Sequence, residues 1–525
     1  MKLRRTSCIL VVAISILMCS CMGVTPPKKE QHKSPNIIFI LTDDQGWTQT
    51  SHRADPNIPE SKSDYYETPN MDLLAESGVM FTEGYAPNPI CSPSRNSLMF
   101  GQNGARHIYN KDADWYKKTT NWLTIPRAIK KANPAYRTAH FGKWHIAMEP
   151  KDAGFDYNDG MTSNSGGEIF GDGFLNVKEF TRAADKYMKD NKEENPSNAK
   201  RAGKPSGHWD DKNAKDIFGI TKRAKDFMKE SVANGKPFYV QLSHYAAHLS
   251  LVSQKETYEY FKNKKTGERH TNPEFGAMLK DLDTGVGMIM NFVKEMEIED
   301  NTYIFLMGDN GGRLSLNQIA VIDENKKLVN AYYSTQHNRN LPLRDGKHSF
   351  YEGGIRVPFM AVGPGIKANR VSRAPVTGLD FLPTFTELAG GNVEMTEAID
   401  GGNLVPLLLN ENIEKVERNS EYLIFHQASH RKPRSAIRKG NFKLLKYWSE
   451  ETKYKNTPKV ELFNIAEDLG ETTNIIEKHP EIANELETEL NKFLTKTKAE
   501  TGIRDIEGAY YRLMDDLAIS SDGDE

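Results

Sequence analysis

Five short apolar runs restrict the architecture open to this chain more than any other feature. They are "NIIFILTDD" (36–44), "RTAHFGKWH" (137–145), "PFYVQLSH" (237–244), "NTYIFLMGDN" (301–310) and "VPFMAVGPG" (357–365). Each has strand length, and the clearest of them lack the polar alternation of a half-exposed strand. Helical patterns lie between them. "TPNMDLLAESG" sets Thr68 as N-cap, Pro69 at the first position and Gly78 as the stop, and "NPEFGAMLKDLDTGVGMIMNFVKEM" (272–296) repeats apolar residues at helical spacing. Strands apolar on both faces, alternating with helices, predict an α/β fold with a large, mostly parallel central sheet flanked by helices. Ligands bind such sheets beyond the carboxyl ends of the strands. Those ends carry Asp43 and Asp44, Lys143 and His145, and Asp309 and Asn310, while His244 and His248 follow the strand at 238–243.

The 525 residues, 38% hydrophobic and 27% charged, suffice for a large core. A net charge of −2 gives no electrostatic case for nucleic acid or an anionic membrane surface. The catalytic α/β domain is expected over 36–414. From 415 to 500 the texture shifts to short antiparallel strands ("SEYLIFHQ", "RSAIRKGNFKLLKYW", "KVELFNIAED") and an amphipathic helix ("HPEIANELETELNKFLTKTKAE"), predicting a smaller C-terminal α+β subdomain. Residues 501–525 read as an acidic tail, and the lysine-rich stretch 178–216 as an inserted surface loop.

The N-terminus, "MKLRRTSCILVVAISILMCSC", has basic residues and then an apolar run too short to span a bilayer. It reads as an export signal over residues 1–20, followed by a polar spacer at 21–35. "LMCSC" resembles a bacterial lipobox with Cys21 as the lipidated residue. The expected location is therefore the periplasm or outer membrane, with membrane attachment only through that lipid anchor, or secretion if no lipid is added. Cys8 and Cys19 leave with the signal, so the mature domain keeps one thiol, Cys91, and no disulfide framework.

Asp43, Asp44, Asp309 and Asn310 offer only hard oxygen ligands. That set suits Ca²⁺, or Mg²⁺, and argues against zinc. Cys91 opens "CSPSRNSLMFG" (91–101), with Pro93 placed to begin a helix. "CSPSR" matches the signature C-x-P-x-R. Together with "NIIFILTDDQGW", "GKWH", "GDNGG", "GKHSFYEGGIRVPF" and "AIRKGNFKLL…ELFNIAEDLGETTN", it makes the chain resemble a type I sulfatase of the alkaline-phosphatase-like superfamily over nearly all of its mature length.

In that family the motif cysteine is oxidised by a maturation enzyme to Cα-formylglycine (3-oxoalanine). The resemblance implies that the hydrated aldehyde at residue 91 attacks sulfur and then expels sulfate by elimination, so that covalent catalysis becomes two easier steps. It further implies that residue 91 joins Asp43, Asp44, Asp309 and Asn310 around the metal. Arg95 would hold the diol, Lys143 and Lys347 would bind sulfate oxygens, His145 would be the base for elimination and His248 the acid toward the leaving alcohol. Leu249 and Ser250 depart from the family pattern after His248, and His244 is its neighbouring alternative. His208, Trp209, His337, Arg339, Arg344 and Asp345 are candidates to line a saccharide subsite. The resulting expectation is a sulfuric ester hydrolase acting on a sulfated polysaccharide or oligosaccharide, algal (ulvan, carrageenan, porphyran) or a host glycosaminoglycan. The alternatives are a phosphomonoester or phosphonate hydrolase of the same superfamily, and a non-catalytic glycan-binding lipoprotein on this scaffold.

Overall fold

The computed structural model describes residues 34–107, 123–146, 148–162, 207–209, 213–249, 251–314, 319–322, 328–332, 340–427, 434–448, 460–499 and 501. The export leader, Cys21, His337, Arg339 and nearly all of the acidic tail lie outside the described residues. For His208 and Trp209 only the path of the strand 207–209 is described.

Eight strands form the main sheet: β1 (Asn36–Thr42), β2 (Val79–Phe81), β3 (Arg137–Gly142), β4 (Tyr157–Asn158), β5 (Phe238–Ser243), β6 (Thr302–Gly308), β7 (Phe359–Val362) and β8 (Arg370–Ser372), in the order β8-β2-β7-β6-β1-β5-β3-β4. The central pairs β6–β1, β1–β5 and β5–β3 are parallel, whereas β7 runs against both β6 and β2. The run at 357–365 does form a strand, but its direction is set by its connections and not by its composition.

Side chains alternate across the sheet, so one uniformly apolar strand feeds two cores. Ile37, Phe39 and Leu41 face a cluster with Leu98 of α1 (Cys91–Phe100), Ile129 of α2 (Ile125–Ala132), and Phe381 and Phe385 of α3 (Phe381–Leu388). Ile38 and Ile40 face a second cluster with Ile217 of α4 (Ile217–Ala233) and Leu282 and Val286 of α5 (Pro273–Glu295). Each such side chain contributes about 1.5–3 kcal/mol by leaving water. Both faces being covered explains why β1 has no polar alternation.

A four-stranded antiparallel sheet follows: β9 (Leu423–Gln427), β10 (Arg434–Lys439), β11 (Phe442–Tyr447) and β12 (Val460–Asn464), paired in chain order. Its Ile437, Leu444 and Leu462 pack under Ala483, Leu486, Leu490 and Leu494 of α6 (Pro480–Thr497). The opposite face, with Phe425, Ala436, Leu445 and Phe463, packs on Tyr85, Phe350 and Ile355.

One stretch departs from the loop expectation for 178–216, and a second ribbon lies in the link to Lys347. Residues 207–209 pair with 252–254, and Ala214, Lys215 and Asp216 are buried, so the end of the polar insertion is built into the body. The link between Asn310 and Lys347 contains an antiparallel ribbon, 319–322 with 328–332. Among the described residues no helix is long and apolar enough to cross a membrane.

Candidate active site

The strand register assembles the site. Thr42 is level with Gly308, and Leu41 and Gly142 are both level with Ser243, so the residues that follow emerge side by side. The ladder continues past the strand ends: Asp309 N–H donates to the Thr42 carbonyl (2.9 Å), His244 N–H to Leu41 (2.9 Å) and Lys143 N–H to Ser243 (2.7 Å). Gly142 (φ +95°) makes that approach possible, since a Cβ there would lie 2.1 Å from the Ser243 carbonyl oxygen. Asp44 and His145 also take left-handed backbone (φ +57° and +53°), which turns both chains sharply at the sheet edge.

Helix α1 begins at Cys91. Arg95, four residues on, projects from the same side of the helix as Cys91. Cys91 Sγ lies 3.3 Å from Asp43 Oδ1 and 3.5 Å from Asp44 Oδ1. Arg95 donates through Nε to Asp309 Oδ2 (2.8 Å) and through a terminal nitrogen to the Lys143 carbonyl (2.6 Å). Lys143 Nζ reaches Asp43 Oδ2 at 2.5 Å. Lys347 Nζ reaches Asp44 Oδ2 at 2.9 Å and Cys91 Sγ at 3.4 Å. Three carboxylates and three cations are thus interleaved around residue 91, nearly all of them inaccessible to solvent.

Burial opposes the charged form of Asp44, yet Lys347, Arg313 and Lys143 together hold its carboxyl below the ordinary range. Asp309 is pushed up to about 7 by burial and by the charge of Asp43, against the pull of Arg95. The Cys91 thiol is driven well above its ordinary value by burial, then by Asp309 and Asp43. A thiolate is therefore disfavoured here, and an unmodified cysteine is a poor nucleophile in this setting.

The donor set fits a hard divalent cation. Ligand atoms of Asp43, Asp44, Cys91 and Asp309 all lie within 4.8 Å of one another. Asn310 Nδ2 donates to Asp44 Oδ1 (2.8 Å), while its Oδ1 is buried without a hydrogen-bond partner among the described residues. An orphaned carbonyl oxygen beside three crowded carboxylates is what a bound cation would satisfy.

The two candidate histidines are separated by their packing. His248 places Nε2 3.8 Å from Asp44 Oδ2 and bonds the Leu249 carbonyl through Nδ1. Burial, then Lys347 and Lys143, keep this imidazole neutral. His244 lies against α5 near Gly285, and burial with Arg223 lowers it to about 3. His145 is buried at the end of β3, with its N–H donating to the Thr162 carbonyl (2.9 Å).

Of the saccharide candidates, Arg344 places its guanidinium carbon 3.8 Å from the centre of the Tyr351 ring and donates to the Glu471 carbonyl, while Asp345 is exposed with left-handed backbone. Sequence reasoning missed Arg313. It directly follows "GDNGG", is half-buried, and its charge acts on Asp44, Lys347 and His248. The signal was its position after the metal-type Asn310.

The loop after β6 and the loop bearing Lys347 meet without side chains between them. Gly311 N–H donates to the Gly354 carbonyl (2.9 Å), and a Cβ on Gly311 would lie 2.0 Å from the Gly353 carbonyl oxygen.

The sulfatase family model matches residues 35–391, and a model for the C-terminal part of N-sulphoglucosamine sulphohydrolase matches 345–500. A protein of Formosa agariphila described as a sulfatase is 26% identical over 563 residues, covering 94% of each chain. The N-acetylgalactosamine-6-O-sulfatase of Bacteroides thetaiotaomicron is 24% identical, over 93% of this chain and 98% of its own. The crystal structure of Ps i-CgsB, also solved in complex with k-i-k-neocarrahexaose, aligns with a TM-score of 0.65 at 25% identity, over 93% of this chain and 98% of that one. The match spans the sheet, the loops at its edge and the helix that begins at Cys91: the chain belongs to the sulfatase family.

Proposed function

We propose that the protein hydrolyses sulfate esters on a sulfated polysaccharide or its oligosaccharide fragments, using a formylglycine made from Cys91 and a calcium ion held by Asp43, Asp44, Asp309 and Asn310. One observation carries this reading. Residue 91 sits at a helix N-terminus, among three carboxylates and two lysines. When present, calcium supplies Lewis-acid charge toward sulfate oxygens and the hydrated formylglycine supplies a hydroxyl nucleophile. The neighbouring residues prepare the rest. Arg95, fixed by Asp309 and the Lys143 carbonyl, stabilises negative charge beside residue 91. Lys143 and Lys347 bind sulfate oxygens from two sides. His248 is the acid toward the leaving alcohol: its Nδ1 proton is engaged by the Leu249 carbonyl, so Nε2 must take up a proton before it can deliver one, and His145 takes the proton lost from residue 91. Arg313 adds positive charge at the same edge and favours anionic substrates.

A saccharide substrate is supported by the B. thetaiotaomicron relative and by the neocarrahexaose complex of Ps i-CgsB. The same reading includes export, lipidation at Cys21 and dependence on a formylglycine-generating enzyme.

Mass spectrometry of the peptide containing residue 91, from cells with a maturation enzyme, should show loss of the thiol and gain of the aldehyde. A cysteine mass in fully active protein would refute the nucleophile. Desulfation of defined sulfated oligosaccharides by matured enzyme tests the substrate class. Faster turnover of matched aryl phosphates would favour the phosphohydrolase alternative.

A further inference from the structure

Lys347 approaches Asp44 and Cys91 from a segment (340–356) that carries no strand of the main sheet. Its described residues form turns and a four-residue helical stretch, Glu352–Ile355. On one side the segment rests on the loop after β6, with Lys347 N–H donating to the Gly312 carbonyl (3.0 Å). On the other side it meets an ion cluster supplied by the C-terminal sheet. Lys443, on β11, is buried with Nζ 2.8 Å from Glu352 Oε1 and 2.9 Å from Glu471 Oε1. The other oxygen of Glu471 accepts the Glu352 backbone N–H at 2.6 Å, and the Glu471 carbonyl accepts Arg344 at 2.6 Å. The second oxygen of Glu352 accepts Tyr85 Oη–H at 2.7 Å. Arg344 and Glu352 stand at either side of Lys347, and the Gly353 N–H to Arg344 carbonyl bond (3.0 Å) closes the segment into a loop.

Burying three charged side chains is unfavourable, and a well-packed apolar set of equal volume is often as stable or more so. Stability alone is therefore a weak reason for such a cluster. What an apolar set would lack is direction. Charge-assisted bonds of 2.6 Å hold the backbone N–H of Glu352 and the guanidinium of Arg344, and both residues are covalently close to Lys347.

We propose that Lys443 and Glu471 are positioning residues: through Glu352 and Arg344, the C-terminal sheet holds the loop that presents Lys347 to residue 91. The antiparallel sheet is on this account part of the catalytic apparatus although it touches no substrate. The inference rests on Lys347 being a working residue of the proposed sulfatase site.

The test is a double-mutant cycle on matured full-length protein, read as kcat and KM on an aryl sulfate together with the melting temperature. Lys443→Met is expected to lower kcat about tenfold, with Lys443→Arg recovering most of it. In a Lys347→Ala background, Lys443→Met is expected to change kcat less than twofold, because the loop then presents nothing. Multiplying effects, or full activity of Lys443→Met beside an impaired Lys347→Ala, would overturn the positioning role. An unimpaired Lys347→Ala would instead remove the site reading on which it stands. Should Lys443→Met melt below the assay temperature, Glu471→Gln, which keeps the shape and removes the charge, runs the same cycle with the same deciding outcomes.

Discussion

The edge of the parallel sheet and the antiparallel sheet behind it obey opposite rules. In the antiparallel sheet the residues Ile437, Leu444 and Leu462 face α6, while Ala436, Leu445 and Phe463 face the main body, a regular alternation with an apolar partner on each side. At the parallel edge, two non-glycine residues adopt left-handed backbone, three carboxylates crowd one another, and an amide oxygen is buried without a partner. The antiparallel sheet is mostly alternating apolar packing with one buried ion cluster at Lys443, whereas the parallel edge concentrates carboxylates and cations around residue 91. Polar groups conflict with local preferences where function is placed, and the regular region supplies the stability that tolerates this.

The sharpest way to break that contrast is Cys91→Ala. Turnover should fall at least about 10³-fold while the melting temperature moves by only a few degrees, since the thiol adds little packing. Loss of the fold would mean that residue 91 belongs to the stabilising part. Next, Asp309→Ala should lower retained calcium and turnover together, by on the order of 10²-fold, measured by elemental analysis beside activity. Activity lost with calcium retained would contradict the ligand set.

The complementary probe is Leu490→Ala in α6, whose side chain is wholly buried. It should cost about 2–5 kcal/mol in denaturant unfolding and leave kcat/KM of the folded protein nearly unchanged. The smallest expected effect is electrostatic. Asp283, on α5, accepts the backbone N–H groups of Asn70 and Met71, and burial raises its carboxyl from 3.8 to about 6. A folded-state value above the unfolded one gives stability that is present below pH 4 and lost as pH rises through 6. Asp283→Asn should therefore flatten the fall in unfolding free energy between pH 4 and 6. An unchanged slope would show that Asp283 is not the group responsible.

What could be read in the sequence follows from the same contrast. The runs ending in Asp43 and Asp309 announced the sheet and its polar edge, because a strand covered on both faces leaves a continuous apolar word and a sudden polar stop, whereas the run before Lys143 carries Arg137, Thr138 and His140 and is less plain. The pairing of β7 against its neighbours could not be read, since an apolar run carries no direction. Val79–Phe81 and Arg370–Ser372 are three residues each, shorter than any periodicity needs. Arg313 was hidden because a lone arginine after "GDNGG" looks like any loop cation. Lys443 was hidden for the opposite reason. In "FKLLKY" it reads as the exposed member of an alternating strand, yet its ammonium turns inward to Glu352 and Glu471, 91 residues before and 28 after it.

The bare contact between Gly311 and the Gly353–Gly354 peptide has a consequence for how such an enzyme can diversify. With no side chain in the joint, there is nothing there for substitution to lengthen, shorten or recharge, so the separation of the acidic pocket from its facing lysine is a fixed datum. On the proposed function, a change of substrate preference would have to come from the segments that surround this datum, by insertion or by change of surface, and not from the joint itself.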